Sequence, residues 1–211
     1  MGQLVTMAHA YSTDSSERQY IPFFIAAAAI GTAFFAIHVF DTYQILLPWW
    51  ASPPIDTMAF YGFFYWLFDR FIWKWNWIHR LQITRIPDLS GVWHGQVNPA
   101  ETDASTGLET KTAITITIQQ TWTSLLVAGQ TKLSKSRSIS GSLVTADECS
   151  ASYEYVNEPA PSAPSTMHMH RGTAILYIDK TGTKLNGEYY SGRDRQNFGT
   201  IQLTRAAKKK T

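Results

Sequence analysis

Apolar and polar positions follow two different rules along this chain. Ile21 to Phe40 and Ile55 to Trp73 are apolar almost throughout, whereas from Leu89 onward apolar and polar residues alternate in short runs separated by turn formers. The first rule predicts membrane helices. The twenty residues from Ile21 to Phe40, at ~1.5 Å per residue, reach ~30 Å, the thickness of a bilayer's hydrocarbon layer. The second segment carries Asp69 and Arg70 among Phe71, Ile72 and Trp73, which puts its end at the membrane interface, where aromatic rings and long cations sit.

The second rule predicts consecutive antiparallel strands. Eight runs are expected, at Gly91–Asn98, Lys111–Gln120, Trp122–Gln130, Lys135–Thr145, Cys149–Asn157, Met169–Asp179, Lys184–Gly192 and Phe198–Thr204. Ile114, Ile116 and Ile118 alternate with Thr115, Thr117 and Gln119, giving one buried and one solvated face. Asn98-Pro99, Lys180-Thr181-Gly182 and the Asp194–Asn197 loop supply turns, and Pro159–Ser165 reads as a connector. Eight short strands without a long crossover favour an eight-stranded up-and-down antiparallel β-barrel over a two-sheet sandwich, because closure removes both exposed edges. Gly91-x-Trp93, reinforced by Leu185-x-Gly187-x-Tyr189, resembles the first-strand signature of lipocalin-like and avidin-like barrels, in which the Trp plugs the closed end.

Composition places a boundary near residue 85, with residues 1–85 as a membrane domain (helices at about 21–40 and 55–73) and 86–211 as the barrel. A secretory signal would begin behind basic residues and end at a small-residue cleavage site, a pattern that Asp14, Glu17 and a lone Arg18 do not make. Asp41–Pro54 holds no Lys or Arg, whereas Lys74, Arg80 and Arg85 follow the second helix. The positive-inside rule therefore puts the C-terminal domain in the cytoplasm, and two crossings return the N-terminus to the same side. Ala27 with Gly31, and Ala29 with Ala33, lie at the four-residue spacing that permits close helix approach. His38, with Asp41 nearby, is an ionisable group near a helix end. The net charge of +2 is too small for a groove that tracks a DNA or RNA polymer. The Lys208–Lys210 tail is expected to stay solvated. The single cysteine, Cys149, excludes an intramolecular disulfide.

Alternation also sorts the barrel lining. Leu185, Gly187, Tyr189, Ser191 and Arg193 share one parity, as do Gly199, Ile201 and Leu203 on the closing strand. The apolar members plug one end, so Ser191 and Arg193 face inward at the opposite rim. Tyr153, Tyr155 and Asn157 repeat this arrangement, and Ser136, Ser138 and Ser140 are expected to do so on the fourth run. Aromatic faces, hydroxyls and a fork-shaped cation suit a phosphate ligand with rings, since Tyr stacks bases and Arg pairs phosphate bidentately. No P-loop, nucleophile elbow or paired carboxylates are present, so neither an enzyme nor a cofactor is expected. His168 and His170 lack a third metal ligand.

The whole order resembles a known family: the two-transmembrane, β-strand-rich effectors of bacterial cyclic-oligonucleotide-based antiphage signalling (CBASS). Ile86-Pro87-Asp88-Leu89-Ser90-Gly91-Val92-Trp93, Gln120-Thr121-Trp122, Tyr153-x-Tyr155-x-Asn157, His170-Arg171-Gly172 and Gly187-x-Tyr189-Tyr190-Ser191-x-Arg193, behind two helices, carry the resemblance over residues 20–205. It implies a barrel that binds a cyclic dinucleotide messenger, and helices that assemble into a homo-oligomer and disrupt the lipid bilayer. Ser191 stands where Thr is expected, which keeps the hydroxyl. A membrane-tethered carrier of an apolar ligand is the alternative, and the polar rim argues against it.

Overall fold

The computed structural model describes residues 8–44, 53–100, 111–146, 148–165, 167–192 and 197–207. They fall into two units, a helical one over Ser15–Arg85 and a β one made of the residues before it together with those from Ile86 onward. The β unit contains β1 (His9–Ala10), β2 (Ser12–Thr13), β3 (Gly91–Pro99), β4 (Thr112–Gln120), β5 (Ser124–Gln130), β6 (Ser134–Val144), β7 (Ser150–Pro159), β8 (His170–Ile178), β9 (Lys184–Ser191) and β10 (Phe198–Arg205). Consecutive long strands pair antiparallel from β3 to β10, β10 returns to β3, and β5 meets β6, so the eight close into an up-and-down barrel. Each of these eight strands begins and ends within two residues of the run that alternation predicts. One correction falls inside β6. A bulge between Ser138 and Ser140 shifts its register, so Ser140 points to solvent near Glu154 instead of lining the interior.

That bulge has a structural consequence. Direct pairing of β5 with β6 is confined to Ala128–Arg137, Gly129–Ser136 and Gln130–Lys135, and past the bulge β6 bends away, as bulged strands do. Residues 9–13 fill the seam. His9 and Ala10 run antiparallel to Leu125 and Ser124 of β5, while Ser12 and Thr13 run parallel to Ser142 and Leu143 of β6. A strand set between antiparallel neighbours has to be parallel to one of them. Tyr11 is 3% exposed and its hydroxyl donates to the Trp122 carbonyl at 2.7 Å. The sequence reading assigned these residues to the membrane domain; the five-residue alternation is too short to announce a strand.

At the end of the barrel where β3, β5, β7 and β9 begin, the interior forms an apolar plug. Trp93, Ile118, Leu125, Leu143, Leu176, Leu185 and Leu203 are buried there. Trp93 donates its indole N–H to the Leu89 carbonyl at 3.0 Å. Arg205 lies over its ring at 4.9 Å and donates to the carbonyls of Asp88 and Ser90 at 2.6 and 2.9 Å. Gln120 fastens the chain leading into β3 by accepting from Leu89 N–H and donating to the Pro87 carbonyl.

The helical unit holds α1 (Glu17–Thr42), α2 (Pro53–Arg70), a 3₁₀ turn (Ile72–Lys74) and α3 (Asn76–Arg80). Of the described helices, α1 is long and apolar enough to cross a membrane. It packs against α2 and buries Ile21, Ile25, Ala29 and Ala33, a stripe with the four-residue spacing. Phe23, Phe24, Phe34 and Phe35 remain exposed, as lipid-facing side chains do. Gly31 faces away from α2 into open space. The second expected segment is shorter than read, since the helix stops at Arg70 and Trp73 sits in the 3₁₀ turn that follows. Glu17 joins the two ends of the unit: its carboxylate accepts from Arg85 N–H at 2.7 Å and from the Thr84 hydroxyl. Most of the Asp41–Pro54 loop, residues 45–52, and the tail Lys208–Lys210 lie outside the described residues.

Candidate ligand-binding site

At the other end of the barrel, where β4, β6, β8 and β10 begin, the inward positions change character. From β6 to β9 they carry Ser134, Ser136, Ser138, Tyr155, Asn157, His170, Tyr189 and Ser191, and from β10 round to β5 they carry Gly199, Val97, Ile114 and Gly129. One wall is polar and the other is small or apolar. Asn157 is 8% exposed and His170 6%, and the two are direct cross-strand partners, with Ser136 opposite Asn157 on the next strand. His170 Nδ1 lies 3.0 Å from the His168 carbonyl. Donation along that bond leaves Nε2 as an acceptor.

Tyrosines form the next layer inward. Tyr155 lies over Gly172, where any side chain would collide with its ring and hydroxyl and with the Tyr190 carbonyl. At Gly199 a side chain would collide with the Asn98 carbonyl and with the Tyr189 ring. Tyr153 and Tyr155 are tilted neighbours with centroids 6.2 Å apart. Burial pushes the Tyr153 hydroxyl's pKa well up from its usual value, with the Tyr155 charge adding to it, so it stays a neutral donor at physiological pH.

The expected site residues Tyr153, Tyr155, Asn157, Tyr189 and Ser191 thus come together on one wall, Ser191 through its pairing with Gly172. Arg193 and the loop to Gln196 lie outside the described residues. Ser138 faces inward but is engaged: its hydroxyl accepts from Val127 N–H at 2.9 Å and bonds His9 Nε2 at 2.7 Å. From sequence, His170 is read in the His170-Arg171-Gly172 motif and as a metal ligand but not in the ligand site; its partner in the metal reading, His168, is exposed and precedes β8. Among the described residues no group of three or more His, Cys, Asp and Glu gathers. The signal that marks His170 is its parity with Gly172 and Ala174. Cys149 is half-buried, and burial followed by the charge of Asp14 pushes its thiol pKa up, which opposes nucleophilic use.

A closed barrel, plugged at one end and lined at the other with hydroxyl, amide, imidazole and phenol groups, has the lining a small-ligand receptor needs. Among the described helices, α1 has the length and composition of a membrane span. Residues 84–205 match the family model for the Cap15 cyclic dinucleotide receptor domain, and residues 19–74 match the model for the Cap15 TM helices. The chain therefore belongs to the Cap15 family, and the resemblance to the CBASS effectors holds. That family is a receptor family and not a catalytic one. A relative, CD-NTase-associated protein 15 from Yersinia aleksiciae, is 25% identical over 146 residues, covering 68% of this chain. The match spans 66% of that relative, just under two thirds of its length.

Proposed function

We propose that the barrel binds a cyclic dinucleotide by opening at its polar end, called here the open end, and that occupancy drives chains to assemble and breach the inner membrane as an antiphage response. The observation that carries this reading is the gathering of inward polar side chains at one end of a barrel whose family is a cyclic dinucleotide receptor. Tyr155, Tyr189 and Tyr153 offer faces for the bases, Asn157 and His170 offer edges for hydrogen bonding, Ser191 offers a hydroxyl to the phosphates of a ring-shaped messenger, and Arg193 is the cation proposed to pair with them. Ser138 joins this set once its present partners release it. The apolar wall of Val97, Ile114 and Gly129 takes the sugar and base faces that need no partner.

Output belongs to residues 15–85, which cross the membrane twice with both termini cytoplasmic in this reading. Binding energy must distinguish dispersed from assembled chains, because a messenger with equal affinity for both shifts nothing. Gly31, turned away from α2, provides the close-approach surface for a second copy. The test follows dye entry and cross-linked oligomers in cells that make the messenger. Arg193→Ala should lose binding and leakage together, whereas Gly31→Leu should keep binding and lose leakage. Leakage from a barrel-deleted hairpin at equal expression would overturn the gating role, and oligomers without leakage would make the protein a signalling platform.

A further inference from the structure

We infer that residues 9–13 are a detachable seam strand that reports occupancy of the barrel to the first membrane helix. The strand is short. It pairs over two residues with β5 and two with β6, and side chains latch it, among them His9 on Ser138, Tyr11 on the Trp122 carbonyl, and Asp14 on Thr145 and Ala146. Asp14 immediately precedes Ser15, where the helical unit starts. Whatever holds or frees residues 9–14 therefore acts on the chain that becomes α1.

The innermost latch faces the proposed ligand. His9 is half-buried beside Gly141, where an added Cβ would lie 3.4 Å from the imidazole Cε1. Its Nε2 holds the Ser138 hydroxyl at 2.7 Å, and Ser138 is the cross-strand partner of Tyr155. His9 Nδ1 lies 3.0 Å from the Ala10 carbonyl; in a neutral ring that donates there, Nε2 accepts the Ser138 proton, which leaves none for an acceptor such as a phosphate oxygen. Use of Ser138 by a messenger and seating of His9 are then competing states. Once His9 leaves, β5 presents unpaired backbone over Ser124–Leu125, an edge that a strand must cover. The inference rests on the reading that the open end takes a cyclic dinucleotide.

The experiment uses the full chain in vesicles of phosphatidylethanolamine and phosphatidylglycerol, with Cys149→Ser and with Ala10→Cys and Ser124→Cys. Those two positions are Cα partners, and antiparallel partners lie about 4.5–5.5 Å apart, within disulfide reach. Cyclic di-AMP, cyclic di-GMP and cyclic GMP–AMP are the probes. The one that binds should slow disulfide formation about ten-fold, the worth of one such hydrogen bond, and the oxidised protein should leak no dye until reduced. His9→Ala, which needs no new cysteines, should bind the same probe up to about ten-fold more tightly, because nothing has to be displaced. A probe that binds without changing the cross-linking rate, or equal leakage from the oxidised protein, overturns the inference alone. A wild-type chain that binds none of the probes overturns the functional reading and the sensing step with it.

Discussion

The two ends of the barrel are built by the same eight strands, under the same alternation, and carry opposite interiors. On β9 the inward series passes from Leu185 and Gly187 to Tyr189 and Ser191; on β7 it passes from Ala151 to Asn157, and on β8 from Leu176 to His170. Apolar side chains at the plugged end need no partners and exclude water, so they supply cohesion. Buried amide, imidazole and hydroxyl groups contribute little cohesion and cost stability wherever they stay unpaired. A barrel that keeps such groups at one end only has separated its stabilising half from its binding half. Substitutions at the two ends should accordingly fail in different assays.

The largest effect is expected at the plug. Trp93→Ala removes a fully buried indole and should cost ~3–5 kcal/mol in denaturant unfolding of the barrel, as large cavities do; a near-neutral result would take Trp93 out of the core. Deleting residues 1–14 comes next. It strips the seam of Tyr11 and its bonds and should cost about 3 kcal/mol, summing one buried aromatic ring and several net hydrogen bonds. An unaltered midpoint would make the seam strand incidental. For ligand binding the balance reverses: Arg193→Ala should leave the unfolding midpoint in place and lose about 1.5–3 kcal/mol of cyclic dinucleotide affinity. Lys at that position should restore only part, since it lacks the planar fork. Full affinity in the Ala variant would place Arg193 outside the site.

The smallest effect concerns Asp14, the residue just after the seam strand. Burial on its own would raise its carboxyl, but bonds from Thr145 N–H, Ala146 N–H and the Thr145 hydroxyl outweigh this and hold it below the ordinary value of 3.8. A carboxylate depressed in the folded state adds stability above its unfolded value and loses it as the pH falls through the folded one. Asp14→Asn should therefore lower stability by at most about 1 kcal/mol at neutral pH, because the group is exposed and screened. The difference from wild type should shrink below pH 4; a difference that persists there would mean the amide disturbs packing instead.

Strands were legible in the sequence because their alternation was long and strict, as in Ile114, Ile116 and Ile118, and turn formers bounded each run. The plug and the tyrosine layer followed from parity. Less was readable where local pattern is degenerate. Ser138-Ile139-Ser140-Gly141-Ser142 reads alike in either register, so only the paired structure reveals the bulge that turns Ser140 outward. His9, Tyr11 and Thr13 alternate correctly, yet five residues beside a membrane helix carry no periodic signal, and their partners lie more than a hundred residues away. Arg205 over Trp93 is likewise a contact between opposite ends of the barrel sequence. Such long-range closures depend on the fold and have no local signature.

The most direct measurement is equilibrium binding of cyclic dinucleotides to the full chain, with one substitution at each end compared with wild type. Asn157→Leu replaces a buried amide on the polar wall by an apolar group of similar size, and Leu185→Ala truncates a buried side chain at the plug. The account predicts that Asn157→Leu keeps its unfolding midpoint and loses affinity by at least about ten-fold, the worth of a hydrogen bond. Leu185→Ala should lose about 2–5 kcal/mol of stability and, below its unfolding transition, bind like wild type. Unchanged affinity in Asn157→Leu, with affinity lost in a still-folded Leu185→Ala, would contradict it by placing the messenger at the plugged end.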